Sequence, residues 1–170
     1  MNSLINRILT FILLVLLQVL ILNKIHLFGY ATPMLYIFFI LKIGASEGRN
    51  KVMLWAFAMG LAVDIFGNTL GVHAAASTAL AFVRPALIRL LYIRNEGEPF
   101  TPSIQSMGIA AFRGYVLLGI VLHHCIVFIL EYFSFAHPLQ LALSIVSSTI
   151  LTLFFVMAVE RIFAQRQSQS

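Results

Sequence analysis

Six long apolar runs, separated by only short polar breaks, constrain this chain more than any motif in it. They fall at about residues 4–22, 27–43, 52–66, 72–91, 107–130 and 139–163. A helix needs roughly 20 apolar residues to cross hydrocarbon, so each run is read as one transmembrane helix, the second and third being short for the task. At 61% hydrophobic and 10% charged residues, the 170-residue chain has too little polar surface to coat a water-soluble globule. The expected fold class is an all-α integral membrane protein, a compact bundle of about six transmembrane helices. It forms one polytopic domain over residues 1–163, followed by a short polar cytoplasmic tail over 164–170.

Arg7 precedes the first apolar run, as it would in a secretory signal, but the run is long and ends at Asn23, Lys24 and His26 with no small-residue cleavage site. It is read as a retained first span. The other separators are 44–51, the turn Gly67-Asn68-Thr69-Leu70-Gly71, the linker 94–106 and the bend at His137-Pro138. Six crossings put Arg7, Lys42, Arg49, Lys51, Arg89, Arg94, Arg161 and Arg166 on one side and only Lys24 on the other. Cations flanking short loops stay in the cytoplasm, so both termini are expected there.

The formal charge of +5 does not point to nucleic acid, because the basic residues are scattered between apolar stretches. Cys125 is the single cysteine and lies in an apolar run, which excludes an intrachain disulfide or a multi-cysteine metal site. His123-His124-Cys125 resembles a metal cluster only in one-letter code, since successive helical residues point about 100° apart. His124 and Glu131 share a helix face as a polar stripe. No phosphate-binding loop, activated nucleophile or paired metal-binding carboxylate is present, so catalytic, metal and cofactor roles are not expected.

Ionisable groups inside spans cost about 2.5–3.5 kcal/mol on insertion scales and normally find partners within the bundle. Asp64, near the non-cytoplasmic end of the third run, is followed by Asn68, Gly71 and His73. A tight turn between antiparallel spans would gather Asp64, Asn68 and His73, either as a cap for the turn or as a ligand or partner-contact site. Arg84-Pro85 lies inside the fourth run, where proline removes a backbone donor and frees a carbonyl near Ala81. Arg84 has three open roles: donating to that carbonyl, pairing with Asp64, or snorkelling toward the headgroups beside Arg89. The small residues 74–79 and 144–149 allow close helix packing.

The stretch Gly60-Leu61-Ala62-Val63-Asp64-Ile65-Phe66-Gly67-Asn68-Thr69-Leu70-Gly71-Val72-His73-Ala74-Ala75-Ala76, with Ala81-Phe82-Val83-Arg84-Pro85, resembles the Gly-Leu-x-x-Asp and Gly-x-x-Ala core of the rod shape-determining MreD family. The resemblance implies a six-span bundle similar to the substrate-binding subunits of energy-coupling-factor transporters. It also implies a non-catalytic subunit of the cell-elongation complex in the bacterial inner membrane, helping to organise peptidoglycan synthesis and rod shape. The implied partners are an MreC-like bitopic membrane protein and, indirectly, MreB, RodA and a class B penicillin-binding protein, with membrane lipids around them. Two other readings stand beside it: the substrate-binding membrane subunit of a vitamin-type transporter, and a small membrane hydrolase built from Asp64, His73 and His124 on one water-accessible pocket.

Overall fold

The computed structural model describes residues 4–25, 29–69, 71–93, 100–132 and 138–167, with side chains to Phe163. His26, Leu70, Arg94 and the rest of 94–99, His137, and the side chains of the tail from 164, Arg166 included, lie outside the described residues. Five helices are long and apolar enough to span a membrane. These are α1 (Leu4–Leu20, continuing as a 3-10 turn to Lys24), α3 (Arg49–Gly67), α4 (Val72–Leu91), α6 (Ile109–Tyr132) and α7 (Pro138–Gln167). Two short helices, α2 (Ile37–Lys42) and α5 (Ile104–Met107), complete the described elements. α4 packs between α3 and α6, α6 against α7, and α1 against α3.

The boundaries follow local chemistry. Asn68 ends α3 in the left-handed conformation (φ 54°), and Gly71 precedes α4 with φ 78°. Both are residue types that tolerate positive φ at a helix end. Ser103 caps α5 by accepting from the Ser106 amide, whose hydroxyl in turn accepts from the Ser103 amide. Pro138 opens α7, where its missing N–H costs nothing.

The second apolar run corrects the sequence reading, because it is not one continuous helix. Its chain runs through Ala31–Tyr36 without helical structure and forms only the six residues of α2. The signal was in Thr32-Pro33: proline disfavours helical backbone in the residue before it and cannot donate a hydrogen bond. This irregular stretch and α2 form the centre of the bundle, with Tyr36, Ile37, Phe39, Ile40 and Leu41 all at 0% exposure. Unpaired peptide groups are tolerated at membrane depth only where protein surrounds them, and here side chains from neighbouring helices meet them. Gln18 of α1, fully buried, accepts from the Leu35 amide (2.9 Å) and donates to the Pro33 carbonyl (2.9 Å). From α7, Ser148 accepts from the Thr32 amide and Thr152 from the Met34 amide, each at 3.0 Å.

These contacts also fix direction. The segment meets α7 first at Ser148 and last at Glu160, where Lys42 makes an ion pair at 2.9 Å. It therefore keeps pace with about 18 Å of helix axis and runs parallel to α7. α1 runs antiparallel to it: Gln18 meets Leu35, Phe11 meets Phe39 at 5.6 Å between ring centres, and Arg7 meets Glu47 at 2.7 Å. One end of the bundle thus holds Arg7, Lys42, Arg49, Lys51, Arg89 and Arg161, and the opposite end holds Lys24. Beside Arg7, Glu47 in the connector after α2 is held below its ordinary value of 4.5, chiefly by the guanidinium hydrogen bond.

Candidate functional site

α3 and α4 meet at the turn 67–71, and the meeting is organised by two residues one helical turn apart. A methyl group added at Gly60 would sit 2.4 Å from the His73 carbonyl oxygen and 2.5 Å from the Ala74 Cα, so only glycine lets the start of α4 come this close. Four residues on, on the same helix face, Asp64 reaches into the space so created. It is 2% exposed. Its Oδ1 accepts from the His73 amide at 3.0 Å and also from the Thr69 hydroxyl, and its Oδ2 accepts from the Ala74 amide at 2.8 Å. The first N–H groups of a helix have no intrahelical acceptor, and a carboxylate there also complements the helix dipole. Asp64 caps α4 from a neighbouring helix.

Asn68 contributes through its backbone, which donates back to the Asp64 carbonyl, while the residue itself stays exposed. Thr69 occupies the place the sequence reading gave to the Asn68 side chain. Gly71 supplies the positive φ at the α4 entry. The His73 ring turns away from Asp64: its Nδ1 lies 2.8 Å from the Tyr36 hydroxyl, which lies 3.0 Å from His123 Nε2. Three elements, α4, the central segment and α6, are joined by that chain. Neither Tyr36 nor His123 was a candidate, because the residues are 87 positions apart and no spacing rule connects them.

Arg84 settles between its three open roles differently from each of them. It is 2% exposed, which excludes snorkelling, and it does not reach Asp64. Its Nε donates to the Tyr115 hydroxyl at 2.9 Å, and its Nη2 to the Leu41 and Ile43 carbonyls. Tyr115 donates to the Leu41 carbonyl at 3.0 Å. The carbonyls it serves belong to the end of α2, whose last C=O groups lack intrahelical donors and carry negative dipole charge. Pro85 lies within α4, which continues to Leu91.

His124 points elsewhere again. Its Nδ1 lies 2.8 Å from the Ile120 carbonyl and its Nε2 3.4 Å from Thr152. Asp64, His73 and His124 therefore serve three separate structural contacts and do not converge as the hydrolase reading required. On the outer surface of the α3–α4 pair, Gly71, Ala75 and Ala79 line a groove of about 700 Å³ together with Phe57, Leu61 and Phe82.

Fold and polar contacts together define a multi-pass helical membrane protein in which Gln18, Asp64, Arg84, Ser148 and Thr152 hold irregular backbone and helix ends together. Over residues 2–162 the sequence matches the family described as rod shape-determining protein MreD, and with nearly the whole chain covered it belongs to that family. No curated protein and no solved structure matches it.

Proposed function

We propose that this chain is a non-catalytic subunit of the cell-elongation machinery, sitting in the bacterial inner membrane with both termini in the cytoplasm. In this reading it binds the transmembrane or membrane-proximal segment of an MreC-like bitopic protein, and through it serves MreB, RodA and a class B penicillin-binding protein. The central segment with α2 acts as the sixth crossing. Membership of a rod shape-determining family supports the biological role, and the gathering of Arg7, Lys42, Arg49, Lys51, Arg89 and Arg161 at one end of the described bundle supports the orientation.

One observation carries the docking surface. Gly71, at the entry of α4, and Ala75 and Ala79 on its outer side recur every four residues, and Ala75, Phe57, Leu61 and Phe82 are exposed. Small residues at that spacing let a second helix approach closely in lipid, where packing rather than hydrophobicity drives association. The test is co-purification with an MreC-like partner in mild detergent. Wild type retains the partner; Ala75→Leu with Ala79→Leu, which fills the groove without touching the Asp64 cap, loses it. Retention by the doubly substituted, folded protein rules the groove out. No association with folded wild type rules out the partner assignment.

A further inference from the structure

Opposite the cation-rich end, the bundle opens into a cavity of about 690 Å³ lined by residues that include Asn23, His73, Tyr30, Phe66, Phe128 and Tyr132. That volume is in the range of small-molecule sites. Its chemistry can be read from hydrogen-bond directions. The Tyr36 hydroxyl has one proton and stands between His73 Nδ1 and His123 Nε2. With the buried Ser77 hydroxyl beside it as a further donor, it donates to one ring and accepts from the other. His123 is fully buried and its Nδ1 has no partner. Buried N–H groups without an acceptor are rarer than buried acceptors without a donor, so the proton of His123 belongs on Nε2, donating to Tyr36. Tyr36 then donates to His73 Nδ1, and the proton of neutral His73 must sit on Nε2. None of the bonds made by His73 occupies that Nε2.

Asn23 presents a second donor. Its Oδ1 accepts from Gln18 at 2.7 Å, and its Nδ2, which lies near Gly67, has no acceptor. Two neutral donors, backed by aromatic rings, thus belong to one cavity in which no described Lys or Arg takes part; Glu131, also in the lining, has an interaction of its own. Uncharged donors in an amphipathic pocket select an uncharged acceptor over an anion.

We infer that this cavity is a binding site for an uncharged molecule or lipid headgroup that offers carbonyl or hydroxyl oxygens to His73 Nε2 and Asn23 Nδ2 while its apolar face lies on the surrounding rings. The inference goes beyond the partner-binding role and uses a different face of the bundle, so either can fail without the other.

The test is ¹⁵N NMR of histidine-labelled, full-length protein in lipid nanodiscs, with His73 assigned by comparison with His73→Ala. The ligand-free protein should show His73 protonated at Nε2; protonation at Nδ1 overturns the inference. Methyl-β-glucoside and N-methylacetamide in the aqueous phase, and glucosyl-diacylglycerol in the disc, then serve as probes. At least one should shift the His73 Nε2 signal saturably, with affinity at least tenfold weaker in His73→Ala when followed by native mass spectrometry. A response to the lipid alone identifies a headgroup site, and a response to a soluble probe a small-molecule site. No response to any probe, or an equal response to acetate, shows a cavity filled by water or selective for charge and overturns the proposal. Tyr36→Phe should release the tautomer and weaken binding; if the folded variant keeps pure Nε2–H and full affinity, the Tyr36 relay does not set the donor.

Discussion

Replacing Asp64 with alanine should destabilise the bundle by about 3 kcal/mol. The magnitude follows from what the carboxylate accepts: two amides of the first turn of α4 and the Thr69 hydroxyl, all from a residue 2% exposed. Losing an ordinary helix cap costs about 0.5–2 kcal/mol where water can substitute. Here water is largely excluded, and two amides are left without acceptors at roughly 1–3 kcal/mol each, which brackets the loss at about 2–6 kcal/mol. For a chain of this size each kcal/mol corresponds to roughly 2–4 °C in Tm, so Asp64→Ala should lower Tm by roughly 6–12 °C. Asp64→Asn keeps one acceptor oxygen but turns an NH₂ toward the second amide, and should lose roughly half as much. Thermal unfolding in mild detergent, followed by a thiol-reactive dye at Cys125, the single cysteine, reads both variants. An Asp64→Ala protein that unfolds within 2 °C of wild type would refute the cap.

Gly60→Ala should be worse than Asp64→Ala, because its methyl meets backbone atoms of α4 at 2.4–2.6 Å that cannot rotate away; yield of monodisperse protein measures it, and normal yield with unchanged Tm contradicts the close approach. Gly119→Ala is the contrasting case, since its nearest neighbour is the flexible end of Leu41 at 3.0 Å, and its cost should stay below about 1 kcal/mol in the same melt. Gln18→Leu leaves the Leu35 amide and Pro33 carbonyl unmet and should cost about 2–4 kcal/mol despite its greater hydrophobicity; a stabilised variant would show that the central segment does not depend on it. Glu47 has a lowered folded value, so its contribution with Arg7 is complete above 4.5 and fades as pH falls below it toward that lowered value. The Tm gap between wild type and Glu47→Gln should be present at pH 7 and shrink toward pH 3; a gap independent of pH removes the ionic component.

Hydropathy located what lipid dictates. The fourth run, 72–91, coincides with α4, and the fifth and sixth differ from α6 and α7 by one or two residues at their starts. It failed at 27–43 because an apolar run reports only that side chains avoid water, not how the peptide groups are paired. The partners that let this segment unwind, Gln18, Ser148 and Thr152, come from sequence positions up to 118 residues away. Asp64 was legible as a costly residue beside a turn, and capping was one of its two readings; that its acceptors serve α4 rather than its own helix depends on Gly60. Arg84 was legible as a charge inside a span, but its acceptors at Leu41 and Ile43 are open only because the short α2 ends there.

Gly60 and Asp64 are therefore one device rather than two motif positions. The missing side chain admits the start of α4, and the carboxylate one turn later satisfies the amides that the approach would otherwise strand. Gln18, Ser148, Thr152 and Arg84 do the same for the central segment, each lending a side chain where the backbone has no partner. These five side chains are committed to backbone groups inside the bundle, whereas a docking face lies at its surface. There the small-residue groove lies along the outer surface between α3 and α4, and its lining includes Ala74, whose amide Asp64 caps. If the groove docks a partner helix, weakening the cap should loosen α4 and reduce partner retention together. Asp64→Ala should then lose part of the co-purified partner while Gln18→Leu, at a similar loss of Tm, loses less; equal losses would mean that partner binding follows overall stability and not the placement of α4.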